Sequence, residues 1–127
     1  MKTQQPIQKT LDFCQVSIYS DYIYVVMNEG ITVVPAHNDI LIHLANTYFP
    51  KRDFVYMTHR IHSYSVDPTV YLETSKISNL KAFIVVAQNF DKESEITKIE
   101  KLFFEKPFVL FGTIEEAIAY KNKLLNP

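Results

Sequence analysis

The residues with the most chemistry to offer are crowded together: His59, Arg60, His62, Ser63, Ser65 and Asp67, within THRIHSYSVDP. Two imidazoles that titrate near neutrality beside a permanent guanidinium suit a small anion, or a general acid/base. Ser63 and Ser65 are candidate phosphoacceptors or anion contacts. Phosphate near a helix start gains from free amides and the helix dipole, although Asp67 would repel it. The plainer reading is that the serines satisfy loop backbone groups and the cluster is a solvated polar rim. A metal needs a third ligand to which the spacing does not point. Gln88 and Asn89 end a neighbouring apolar run, and Glu73 lies on the next helix; all three are placed to join the group.

The elements around the cluster fix where it sits. Residues 54–58 read as an apolar strand, and Asp67-Pro68 reads as a helix start, with Asp67 capping and Pro68 at the first position. The loop 58–68 therefore joins the C-terminal end of a strand to a helix N-terminus, where α/β proteins bind ligands. Before it, Cys14, Val16 and Ile18 alternate with Gln15 and Ser17 in a half-buried strand, and 22–27 follows as the second arm of a hairpin. Pro35 opens a helix to about 49, with Ile40, Leu41, Leu44, Ala45 and Tyr48 as its stripe. A second helix is expected over 68–77. LKAFIVVA at 80–87 is a central strand covered on both faces. A third helix is expected over 91–104 with Ile96, Ile99 and Phe103 inward, and a fifth strand over 108–111. Thr113 and Glu116 then form a capping box for a last helix carrying Ile114, Ala117, Ile118 and Leu125 inward. The order β-β-α-β-α-β-α-β-α predicts an α/β fold with a mostly parallel, mixed five-stranded sheet.

Composition narrows the function classes. The chain has 127 residues, 47% of them hydrophobic, enough for one domain and one core. We expect the polar opening MKTQQPIQKT (1–10) to be a flexible tail rather than a signal peptide, and 11–127 to be the domain. A net charge of −1 gives no reason to expect nucleic acid. No apolar run approaches the ~20 residues of a membrane helix. The single cysteine, Cys14, excludes an intrachain disulfide, reads as a small core residue and favours a cytoplasmic location. Two glycines, Gly30 and Gly112, cannot build a P-loop or a dinucleotide fingerprint. No catalytic motif or cofactor site is recognisable. His37 and His43 are too far apart around one helix to pair. Tyr19, Tyr22 and Tyr24 cluster at the hairpin as a candidate interface, unless a helix covers them.

Three segments, NEGITVVPAHNDIL (28–41), HSYSVDPTVY (62–71) and FGTIEEAIAY (111–120), together with the order of elements, resemble the STAS family, and most nearly its small SpoIIAA-like bacterial proteins. The resemblance implies a SpoIIAA-like fold and a non-enzymatic, regulatory protein-interaction module. Its partner would be another protein, or a second copy in a homodimer. In regulatory members a serine of an Asp-Ser-Ser/Thr-Gly motif at the second helix is phosphorylated. The matching region here, Ser63 to Pro68, keeps serines but lacks the Asp-Ser pair and the glycine. The alternative function is a binder of an anionic or apolar small molecule at the C-terminal strand ends.

Overall fold

In the computed structural model, residues 5–88 and 96–127 are described. The elements are β1 (Ile7–Thr10), β2 (Cys14–Ile18), β3 (Tyr22–Met27), β4 (Thr32–Val33), α1 (Pro35–Tyr48), β5 (Phe54–His59), β6 (Ser65–Val66), α2 (Val70–Thr74), β7 (Leu80–Val86), helical residues 96–100 (α3) leading into a 3-10 turn at Lys101–Phe103, β8 (Phe108–Phe111) and α4 (Ile114–Leu125). The main sheet runs β1-β2-β3-β5-β7-β8; its first three strands are antiparallel and the rest are joined in parallel. The expected α/β class and mostly parallel mixed sheet are present, but the sheet has six strands rather than five. A separate parallel pair, β4 with β6, adds to it.

The extra strand of the main sheet is β1, placed by the sequence reading in a flexible tail. It pairs with β2 from Ile7↔Ile18 to Thr10↔Gln15. An edge strand needs backbone bonds on one side only, so its mostly exposed, polar side chains carry no burial pattern to read.

Strand order rises steadily from β3 to β8, and right-handed crossovers would set all the intervening helices on one face. The core agrees. Val16, Ile23, Val25, Phe54, Tyr56, Leu80, Phe83 and Val85 pack on that face with Leu41 and Ala45 of α1, Val70 and Tyr71 of α2, and Phe104. On the other face Val55, Met57, Ala82, Ile84 and Val86 meet α4 through Ala117, Ile114, Ile118 and Leu125. β7 is buried at every position but Lys81, as a strand covered on both sides should be. The Thr113 hydroxyl accepts from the Glu116 amide at 3.2 Å, starting α4 as the capping motif predicts. Cys14 is fully buried, which pushes its thiol up to about 12 and suits a core role.

The expected stripe of α1 packs in the core through Leu41, Leu44, Ala45 and Tyr48, with one exception at its edge, whereas α3 buries a different face from the expected one. In α1, Ile40 is 46% exposed while Asn38 is buried, donating to the Val70 carbonyl at 3.2 Å and to Thr74 Oγ1 at 3.0 Å. In α3, Ile96 and Ile99 are exposed and Thr97 and Glu100 are buried. In both, a polar residue goes inward because a partner on a neighbouring element satisfies it. The second helix is shorter than 68–77: Pro68 and Thr69 form a turn ahead of it, and Asp67 Oδ1 accepts from the Thr69 amide at 3.1 Å and its hydroxyl at 2.8 Å.

Asn38→Ala should destabilise the fold by about 1–3 kcal/mol, because it strips α2 of a buried donor. Ile40→Ala should stay within ~0.5 kcal/mol. Urea unfolding of the two variants checks this; a larger loss for Ile40→Ala would mean that Ile40, not Asn38, holds the buried edge of the α1 stripe.

Candidate functional site

Side chains along β5 alternate between the faces. Tyr56 packs in the core beneath α1 and α2, while Val55 and Met57 pack on the α4 side. His59 falls on the α4 side, where its Nδ1 lies 2.6 Å from the Tyr24 hydroxyl. It is therefore separated from Arg60, contrary to the grouping expected from their adjacency. Burial lowers the His59 pKa from its ordinary value.

Arg60 is not part of a solvated rim. Its amide donates to the Val86 carbonyl at 2.8 Å, continuing the β5–β7 ladder by one step. Its side chain is only 6% exposed, as is that of Glu100 on α3. Arg60 Nη2 lies 2.8 Å from each Glu100 carboxylate oxygen, and Nε donates to the Tyr64 hydroxyl at 3.3 Å. Tyr71 of α2 donates to Glu100 Oε2, and its phenol is held well above the usual range by burial and then by the Glu100 charge. The Tyr64 ring lies 5.6 Å from the guanidinium, and its hydroxyl lies 3.2 Å from Thr58 Oγ1. One charged pair thus ties together β5, α2, α3 and the loop after β5.

A cleft of about 380 Å³ opens over this pair. His62, Ser63, Ser65 and Pro68 line it from the loop, and Ile96 and Ile99 from α3. The loop is anchored at its back. β6 pairs with β4, the Gly30 amide donates to the Ser63 carbonyl at 2.7 Å, and the Ser63 amide donates to Glu29 Oε1 at 3.2 Å. Gly30 holds φ +77, a conformation that suits glycine. His62 Nδ1 lies 3.7 Å from Glu29 Oε1 at the exposed end.

Of the residues singled out in the sequence, Arg60, His62, Ser63 and Ser65 meet at the cleft. Asp67 spends its carboxylate on the turn at Thr69. Gln88 is exposed just past β7 and is not among the cleft-lining residues, and Asn89 lies outside the described residues. Glu73 pairs with Lys76 at 3.0 Å instead. Tyr19 and Tyr22 stack at 4.3 Å, and Lys121 of α4 sits 5.1 Å over the Tyr22 ring while binding Asp21 at 3.0 Å. Tyr22 and Tyr24 are half-buried among α4 side chains. Sequence reasoning missed Tyr64, Tyr71 and Glu100. The available signal was Arg60 itself, a charge at the end of a strand buried through Thr58, which calls for a buried acid.

Chemically, the cleft offers hydroxyls and apolar walls over a charge pair that is already matched. That favours recognition over proton transfer. Among the described residues, no three His, Cys, Asp or Glu side chains are grouped to hold a metal. No family model, curated protein or solved structure matches the chain.

Glu100→Ala leaves the Arg60 charge buried and should cost about 3–5 kcal/mol, whereas Arg60→Met with Glu100→Leu should cost far less. Chemical denaturation decides between this and a solvated, dispensable pair, for which the single change would be nearly neutral. His59 sets a second expectation. Its folded pKa is depressed, so below its unfolded value of about 6.5 the unfolded chain binds a proton that the folded chain refuses. Its stabilising effect is present above that pH and is lost as pH falls through the lower folded pKa. Unfolding measured from pH 7.5 down to 5 should show a shallower loss of stability in His59→Gln than in the parent; equal slopes would mean that His59 titrates freely.

Proposed function

We propose that the protein is a non-enzymatic, STAS-like interaction module that receives an apolar segment of a partner protein in the cleft between loop 60–68 and α3. The observation that carries this reading is the exposure of Ile96 (39%) and Ile99 (60%) in the cleft wall, with Leu102 (81%) three residues further along the chain and Ile61 (58%) on the loop. Exposed apolar surface next to a concavity with a few fixed polar groups marks a recognition site. The resemblance of 28–41, 62–71 and 111–120 to SpoIIAA-like proteins supports the same reading. Ser63 and Ser65 are exposed on the loop wall, so a phosphate on either would put charge on the docking surface.

A small-molecule role is the second reading, favoured by the cleft's volume of about 380 Å³, which falls in the usual ligand range. Native mass spectrometry of the protein purified from its own host separates the two. A bare mass, together with a partner captured by the parent chain and lost at least ~10-fold by Ile99→Asp, fits the interaction module. Undiminished capture by Ile99→Asp, with its fold intact by circular dichroism, would put the surface elsewhere. A co-purified small molecule would establish the second reading and name its ligand.

A further inference from the structure

The two edges of the main sheet are built differently. β1 presents Gln8, Lys9 and Thr10, with Lys9 reaching over the Tyr48 ring at 5.9 Å. Polar residues and an edge lysine discourage a further strand. β8 reads Phe-Val-Leu-Phe, with no charge, no proline and a regular register against β7.

The backbone of β8 is half used. Phe83 N–H donates to the Pro107 carbonyl and Ala87 N–H to the Phe111 carbonyl, each at 2.9 Å. In a parallel ladder every second residue bonds the neighbouring strand, so 107, 109 and 111 face β7. The N–H and C=O of Phe108 and Leu110 therefore point out of the sheet, and no described residue bonds them. The strand itself is firmly seated: Phe108 is buried in the main core, and Val109 and Phe111 pack with the α4 side. A groove of about 360 Å³ runs along this edge beside α3, and the charged side chains among its described lining are Lys98 and Lys101.

From these features we propose that β8 is an open docking edge, which takes an extended, acidic segment of another protein as a seventh strand. Outward backbone groups at Phe108 and Leu110 supply the pairing, and alternate apolar side chains of the guest extend the sheet faces. An acidic guest residue on the α3 side meets Lys101. A second copy of this chain is the poorer occupant, since it would bring its own Lys101 toward this one. This surface does not involve the cleft, and stands or falls apart from it.

The test pans a displayed library of random heptapeptides against the 127-residue chain, then titrates one enriched peptide by NMR. The expected winners are acidic, rich in β-branched residues and free of proline, and they shift the amides of 108–111. Leu110→Pro removes an outward donor without touching the β7 ladder, so it should leave the fold intact and weaken binding by about 10-fold or more. Lys101→Glu should weaken the acidic peptides as well. If Leu110→Pro misfolds, N-methylating the peptide's own pairing amides gives the same readout on the parent protein. No enriched peptide, binding indifferent to these changes, or a concentration-dependent homodimer abolished by Leu110→Pro would each overturn the proposal.

Discussion

The Arg60–Glu100 pair is the constraint on which the rest of the site depends. Moving two charges out of water is costly, and the attraction between them compensates only when geometry is good and the remaining hydrogen-bonding groups are satisfied. Here Nη2 meets both carboxylate oxygens, Tyr64 accepts from Nε, and Tyr71 donates to the acid. Among the described residues, no buried side-chain nitrogen or oxygen lacks a partner. The sheet sets the position of the arginine, because its amide is held by Val86; the arginine then dictates which face α3 turns inward.

That choice of face leaves apolar side chains exposed at the cleft wall. With Glu100 pointing into the protein, one residue back places Ile99 about 100° around the helix axis, and two residues on places Leu102 on nearly the opposite side. Apolar side chains that could have completed a core stripe are thereby left in solvent, Ile99 among them at the cleft wall. The stability forgone by leaving Ile99 exposed is of the order of a core side chain's burial, about 1.5–3 kcal/mol. A fold that keeps a matched ion pair and gives up such burial has placed specificity of arrangement ahead of stability, and the exposed isoleucines are its consequence. The same pairing withdraws Arg60 from service as an anion receptor, which is why the cleft is read as a surface for apolar contact.

Much of this could be seen in the sequence. The apolar continuity of 80–86 marked the central strand, Thr113 with Glu116 marked the start of α4, and the loop after residue 58 was placed at the strand ends where the cleft lies. What escaped were decisions made by distant partners. The parity of a strand near its end separates His59 from Arg60, although they are neighbours in sequence. An apolar stripe does not declare its own edges: in α1, otherwise buried as expected, Asn38 goes inward and Ile40 stays out because α2 offers the amide a carbonyl and a hydroxyl, and in α3 Glu100 goes inward because Arg60 waits for it. β1 escaped because backbone pairing, not side-chain burial, holds it.

The short helix α3 walls two surfaces at once. Ile96 and Ile99 border the cleft, while Thr97, Lys98 and Lys101 border the groove along β8. A guest at either place would influence the other only if it changed the balance between two positions of this helix, since a ligand shifts an equilibrium by no more than its difference in affinity for the two states. Glu100 sits between the two walls, bound to Arg60 and Tyr71, and any displacement of α3 must break or drag that buried pair. Breaking it would expose the helix to the same penalty as deleting one partner, about 3–5 kcal/mol, which exceeds the 1–3 kcal/mol of typical coupling between sites. The ion pair would therefore act as an insulator: with it intact, a guest proposed for the cleft and one proposed for the β8 edge would bind independently.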